Sequence, residues 1–327
     1  MRTTTLGTFG PEVGVIGLGA MGMTFAYDMA TPRDESTNLS VIHQALDEGM
    51  TLIDTADVYG PYTNEELVGR ALSDGRRDRA IVATKVGLQA VDPTGGPGGS
   101  PLTRKNGRPE HVRDAIDASL RRLNTDYVDL WQLHRVDPEV PIEETWAAMA
   151  EAVVAGKVRH LGLSEIVVSV DLIQRAHAVH PVTTVQAEFS LWTRDVQSEV
   201  LPYCDQHGIG LLAYSPLGRG FLVGRFALFD ELPQNDQRRR LPRFQQDNLR
   251  ANLAIAGKVH EVADRLGATP AQVALAWIIA QGPHVVPIPG TKTPKYLTDN
   301  AGASDLQLSP ADLADLADMP APVGARY

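Results

Sequence analysis

The sequence predicts a (β/α)₈ barrel, and three observations carry that prediction. Eight short runs rich in β-branched residues recur along the chain, longer segments of helical period separate them, and composition does not shift over the 327 residues. The strand runs are residues 13–19, 51–55, 80–86, 128–134, 158–164, 183–189, 210–214 and 284–289. Between the third and fourth, residues 109–123 place Val112, Ala115, Ile116, Leu120 and Leu123 on one face. Residues 142–155 do the same with Trp146, Met149 and Val153. Each segment is long enough for a right-handed crossover between parallel strands. An open doubly wound sheet uses fewer strands, usually in two halves, whereas about 250 to 350 residues suits a closed barrel with insertions. We therefore expect one barrel domain over residues 1–327. Two segments interrupt the alternation: the Gly/Pro tract 92–101 after the third run, and the loop 218–246, with Arg238, Arg239 and Arg240, after the seventh. Both follow strand C-termini, the face where barrel enzymes keep their sites.

Composition bounds the partners. A net charge of −10 and a pI near 5.4 exclude nucleic acid and anionic membranes as expected partners and favour a small diffusible substrate. Cys204 is the sole cysteine, so no internal disulfide and no cysteine-rich metal site can form; it reads as a packed helix thiol in a reducing compartment. No apolar run reaches the roughly 18 residues of a membrane span, and the first residues lack the basic-then-apolar shape of a signal peptide. A cytoplasmic protein is expected, with its oligomeric state open.

Gly17-Leu-Gly19-Ala-Met-Gly22 matches G-x-G-x-x-G, the mark of a Rossmann-type dehydrogenase, but that reading needs an immediate helix. The following stretch, with Pro32 and short polar residues, reads as a loop, so these glycines instead let a strand end approach a ligand closely. The chemistry lies at the strand ends. Asp54 closes the second strand, Lys85 the third and His134 the fourth, while Tyr59 sits five residues past Asp54. C-terminal ends of consecutive parallel strands converge on the barrel mouth. Taken singly, a buried histidine is a structural hydrogen-bonding group and a Lys–Asp pair an ordinary ion pair. Charges on neighbouring inner strands are costly to desolvate without function, so together they point to a site. A tyrosine is a poor acid at neutral pH, and a nearby ammonium lowers its pKa by favouring phenolate. The expectation is that Lys85 tunes Tyr59, Asp54 holds Lys85 charged, and His134 orients a carbonyl oxygen.

The ordered stretches Ile53-Asp54-Thr-Ala-Asp-Val-Tyr59-Gly60, Ala83-Thr-Lys85, Asp129-Leu-Trp-Gln-Leu-His134-Arg135, Gly162-Leu-Ser164-Glu165, Val185-Gln186, Ala213-Tyr214-Ser215-Pro216-Leu217-Gly218 and Pro287-Ile-Pro-Gly290-Thr291-Lys292 resemble the aldo-keto reductase superfamily over nearly the whole chain. The similarity is greatest to bacterial broad-specificity reductases, with pyridoxal-reductase-like and auxin-induced-type members close by. The resemblance implies a barrel without metal and hydride transfer from NADPH to an aldehyde or ketone, with Tyr59 as proton donor. It also implies a cofactor path: Gly19 and Met21 beside the dinucleotide, Ser164 and Gln186 on the nicotinamide carboxamide, and Tyr214 stacked on the ring. Ser215, Leu217, Gly218, Arg219 and Gly220 would follow the pyrophosphate. Gly290, Thr291, Lys292, Asp299 and Asn300 would take the adenosine end and its 2′-phosphate.

Three positions depart from many relatives. Glu165 stands where an Asn is common, and Thr293 and Tyr296 stand where an Arg would face adenine, leaving 2′-phosphate recognition to Lys292 and to Lys295. Tyr27, Trp192 and Phe221 are expected to form an aromatic substrate wall, whereas alternation along its strand turns Trp131 toward the helices. The tail 319–327 is short, which predicts an open pocket and a broad substrate range. Channel-regulating β-subunits resemble the same fold, so a cofactor-binding sensor is the alternative from another class. The lack of an N-terminal extension and the retention of all four polar residues speak against it.

Overall fold

Inward and outward residues alternate along each strand, and that sorting builds the fold. The computed structural model describes residues 1–27, 34–94, 96, 101–165 and 168–327. β1 (Thr3–Thr5) and β2 (Glu12–Gly14) form an antiparallel hairpin. β3 (Leu18–Gly19), β4 (Leu52–Asp54) and β5 (Ile81–Val86) are parallel neighbours, and β6 (Leu88–Asp92) and β7 (Leu102–Lys105) form a second hairpin beyond β5. β8 (Val128–Leu133), β9 (Val158–Ser164), β10 (Thr184–Glu188), β11 (Gly210–Tyr214) and β12 (Val285–Pro287) continue the parallel sheet.

The eight strands run in the order β12-β11-β10-β9-β8-β5-β4-β3. Its two ends meet. Gly17 N–H donates to the Pro287 carbonyl at 2.9 Å, Gly19 N–H to the Pro289 carbonyl at 3.1 Å, and Gly19 bridges Gly290 in parallel sense. The sheet is thus a closed (β/α)₈ barrel. A Cβ on Gly19 would lie 2.9 Å from the Ile288 carbonyl oxygen, so a side chain there would force this seam apart.

Leu52, Ala83, Leu130, Leu212, Val286 and Ile288 fill the lower barrel interior, and Leu6 and Val13 of the first hairpin plug it from below. Residues of the other parity, among them the wholly buried Trp131, pack outward against the helices. Helices Pro109–Leu123, Pro270–Ile279, Pro294–Gly302 and Pro310–Ala317 begin on proline, whose fixed φ suits a first helical turn. Helix Ile142–Val154 matches the helical run expected there. Cys204 is buried on helix Val200–His207. Among the described residues no helix is long and apolar enough to cross a membrane.

Two expectations need correction. The run 13–19 is not one strand: Val13 leaves with the bottom hairpin, and only Leu18–Gly19 joins the barrel. A helix does begin at Met21, but Met21–Thr24 lasts one turn, ends in extended Phe25, and is followed by positive φ at Ala26 and Tyr27. In a closed barrel this is a strand-end loop, so the Rossmann alternative falls. Pro32, and residues 95 and 97–100 of the Gly/Pro tract, lie outside the described residues.

Candidate active site

Parity and register assemble the site above the apolar floor. Asp54 pairs in register with Ala83, so Lys85, two residues on, projects one layer higher, and Lys85 in turn is level with Gln132. His134 follows β8, fixed by its N–H donating to the Val86 carbonyl at 2.7 Å. Tyr59 is brought back over the mouth by the loop after β4. Its carbonyl accepts from Asn64 N–H at 3.2 Å, and the Asn64 side chain ties this loop to Ala20, Thr24 and Thr55.

The Lys85 ammonium, wholly buried, donates to Asp54 Oδ1 at 2.5 Å, to the Thr55 carbonyl at 2.8 Å and to the Tyr59 hydroxyl at 3.4 Å. Tyr59 stacks on Phe25 with centroids 6.0 Å apart and meets His134 edge-on at 5.7 Å. Burial works against the charge on Lys85, but the Asp54 carboxylate and the Tyr59 phenol outweigh it and raise its pKa. The ammonium therefore persists in the interior. For Tyr59 the balance is the reverse of the one expected. Burial raises the phenol above its ordinary value, and Lys85 is the largest opposing influence without winning. Burial, with Arg135 and Lys85 adding to it, holds His134 well below the ordinary imidazole range, so the ring is neutral. Its Nδ1 is buried with no partner among the described residues.

The remaining predicted residues fall into three groups. Ser164 closes β9 level with Gln186 in mid-β10, and Tyr214 closes β11 level with Glu188. The turn after Tyr214 carries positive φ at Ser215, Gly218, Arg219 and Gly220, and Leu217 packs inward beneath it. Arg238, held bidentately by Asp236, donates to the Arg219 carbonyl at 2.7 Å and so pins that turn to the loop above it. Met21 packs beside Tyr59. Gly290 sits across the seam from Gly19, and Thr291 and Lys292 follow it in the chain. The Thr291 hydroxyl is turned back onto Thr293, Asp299 Oδ1 is engaged by Thr269 at 2.8 Å, and Asn300 is buried.

The aromatic wall is not as expected. Phe221 is 0% and Trp192 3% exposed, stacked with centroids 4.1 Å apart and backed by Phe244. They pack beneath the loop after β11 rather than facing the opening, because that loop needs its own apolar foundation. Tyr27 is half-buried under the Arg238 guanidinium, 5.0 Å from its ring centroid. Nor is the mouth left open by its tail. Val323 and Asn252 exchange two hydrogen bonds at 2.8 and 3.0 Å, and Gly324 accepts from Arg243 at 3.2 Å. The segment so anchored brings the Tyr327 hydroxyl to Glu188 at 3.0 Å and to Arg219 at 2.6 Å, and within 3.3 Å of the Tyr214 hydroxyl.

Sequence reasoning missed Gln132, Glu188 and Arg135. The first two were findable, since Gln132 shares parity with His134, and Glu188 with Gln186. Glu188 gathers Arg219 at 3.0 Å and Thr193 at 3.1 Å in addition to Tyr327. Glu165 is turned to the Val136 N–H at 2.9 Å and to Arg135 at 3.7 Å, a role no Asn contact would have suggested.

An ammonium-backed phenol, a neutral imidazole and a glycine-lined mouth together can donate a proton to a carbonyl oxygen while a dinucleotide lies against the strand ends. The model of the Aldo/keto reductase family matches residues 15–319. A probable aldo-keto reductase 1 from Glycine max is 46% identical over 316 residues, 97% of this chain and 88% of that protein. The structure of a glycerol dehydrogenase from Gluconobacter oxydans superposes with a TM-score of 0.85 at 30% identity, covering 97% of this chain and 94% of that one. An aldo/keto reductase from Klebsiella pneumoniae, solved in complex with NADP and acetate, has a TM-score of 0.74 at 29% identity, covering 99% and 97%.

Proposed function

The chain belongs to the aldo/keto reductase family, and on that premise we propose that it reduces aldehydes or ketones to alcohols with NADPH, Tyr59 supplying the proton. The observation that carries this reading is the Lys85 ammonium bonded at once to Asp54 and, at 3.4 Å, to the Tyr59 hydroxyl. An oxidoreductase of this class needs an acid that is protonated at neutral pH yet able to give up its proton as charge develops on the carbonyl oxygen.

Tyr59 meets both demands. Its raised pKa keeps the proton in place, and Lys85 stabilises the phenolate as it forms. Asp54 keeps the ammonium charged and aimed. His134, neutral, is suited to donate one N–H to the same carbonyl oxygen and hold it before Tyr59. Burial of the whole group strengthens each of these interactions.

The residues present fit the dinucleotide. Tyr214 brings a ring to the end of β11, and Ser215, Gly218, Arg219 and Gly220 form a tight turn of positive φ pinned by Arg238. Ser164 and Gln186 would meet the carboxamide, and Gly290, Thr291 and Lys292, with Asp299 and Asn300, the adenosine end. When bound, the reduced nicotinamide supplies the hydride. NADPH is favoured over NADH through Lys292, and the small-molecule carbonyl would reach Tyr59 beside Tyr27. We read the chain as one barrel domain working in the cytoplasm.

The test is Tyr59→Phe. Turnover with a panel of simple aldehydes should fall by about 10² to 10⁴, the range for loss of a general acid, while NADPH fluorescence titration gives an unchanged dissociation constant. Turnover equal to the parent would sink the assignment.

A further inference from the structure

Among the described residues no hydrogen bond joins Gln132 to the phenol or the ammonium, yet its seat is built for it. It is wholly buried, level with Lys85 on one side and with Gly162 on the other. A Cβ on Gly162 would lie 2.9 Å from Gln132 Cγ, so the glycine of β9 makes room for this side chain. Gln132 Nε2 donates to Asp54 Oδ2 at 3.2 Å, and its Oε1 accepts from Gln186 Nε2 at 3.2 Å. Gln186 Nε2 also donates to Asp54 Oδ2, at 2.7 Å. The carboxylate is thereby divided, Oδ1 serving the ammonium and Oδ2 two amides. An ionised carboxylate only accepts, so both glutamines must turn nitrogen toward it, which leaves the Gln186 oxygen as an acceptor not spent on Asp54.

We propose that Gln132 is a positioning residue for the reaction. With Gln186 it holds and partly neutralises the far oxygen of Asp54, keeping Lys85 on Tyr59 and linking the nicotinamide side of the barrel to the proton donor. The inference rests on the reductase reading above. Its sign follows from electrostatics: negative charge at Asp54 opposes phenolate formation, so an amide that disperses that charge makes Tyr59 a better acid. Because Gln132 is wholly buried and bonded to Gln186 and Asp54, its loss should act on the proton donor rather than on dinucleotide binding.

Gln132→Met keeps the volume and removes the donor. The expected result is a fall in kcat of roughly tenfold, the share of one hydrogen bond to a charged group. The alkaline limb of the kcat profile should move up by about half a pH unit or more, while the NADPH dissociation constant and the aldehyde KM stay within about twofold of the parent. Gln132→Glu gives a second readout, and decides alone if the Met variant does not fold. A protonated Glu can donate to Asp54, but an ionised one faces it as a like charge. Its kcat should therefore approach the parent's as pH falls toward about 5 and collapse above neutrality. A Met variant with parental kcat and pH limb overturns the proposal, as does a weakening of NADPH binding that matches the loss in kcat. A Glu variant whose ratio to the parent does not change with pH overturns it as well. Absence of NADPH-dependent reduction in the parent itself would instead overturn the reductase reading.

Discussion

Removing the charge of Asp54 should destabilise the fold more than a single surface or loop change could. In Asp54→Asn the Lys85 ammonium, wholly buried, loses its counter-charge and keeps only neutral acceptors: the introduced amide oxygen in place of Oδ1, the Thr55 carbonyl at 2.8 Å and the phenol at 3.4 Å. Breaking a buried pair by deleting one partner costs about 3–5 kcal/mol, because the survivor is left without its counter-charge. These neutral acceptors place the loss toward the lower end, about 3 kcal/mol. The new amide nitrogen would also face the nitrogens of Gln132 and Gln186, so at least one of these must turn. In Asp54→Asn/Lys85→Met the stranded charge is gone, and about half the loss or more should return. Urea unfolding monitored by circular dichroism measures both.

Dependence on pH supplies a second signature. In the parent the folded pKa of Lys85 is raised, so its stabilisation is fully present below the unfolded value and is lost only as pH rises through the folded one. Without Asp54, burial depresses that pKa. The unfolded chain then binds the extra proton, and stability should climb from neutral pH toward about 10. An Asn variant within about 1 kcal/mol of the parent, or a double variant no more stable than the single one, would refute the account of the pair as a mutually dependent buried unit.

Since burial and neighbouring cations hold His134 well below the ordinary imidazole range, kcat should show no histidine limb between about pH 6 and 8; a limb there that disappears in His134→Gln would show a titrating ring. Lys292→Met should weaken NADPH by roughly ten- to a hundredfold and NADH by no more than about twofold, the share of one charge-assisted phosphate contact; equal losses in titrations of the two cofactors would move 2′-phosphate recognition to Lys295 or the Arg238–Arg240 loop. Burial pushes the Cys204 thiol up to about 12, so an aromatic disulfide reagent should not titrate it at pH 8 until urea unfolds the barrel, and prompt reaction with the native protein would contradict its burial.

The parts of the site legible in the sequence were those set by strand parity and strand ends. Asp54, Lys85 and His134 needed only the position of their strands, and Trp131 was turned outward by the same alternation. The loop 218–246 defeated that reasoning because it has no period. Nothing local says that Trp192 and Phe221 will be its foundation instead of a pocket wall. The tail was misread because its placement depends on Asn252 and Arg243, which lie about 70 to 80 residues away in sequence. The acidity of Tyr59 was misjudged for a different reason: an adjacent ammonium can be read from a motif, whereas the degree of burial that outweighs it belongs to the whole barrel.

The seam between Gly19 and Gly290 has a consequence for how the chain is made. A nascent chain that stops short of β12 already contains Asp54, Tyr59, Lys85 and His134. The N–H groups of Gly17 and Gly19, however, would have no acceptors at Pro287 and Pro289, and β3 would be a bare sheet edge able to pair with another chain. Nor is the floor plug secure before that point, since the hairpin reaches the last unit through His284 bonded to the Thr5 carbonyl at 2.9 Å. Contacts this distant in sequence form late and slowly. Unfinished chains are therefore the species most exposed to aggregation, and slow synthesis near residue 285 would lengthen the interval in which neighbouring nascent chains can join edge to edge.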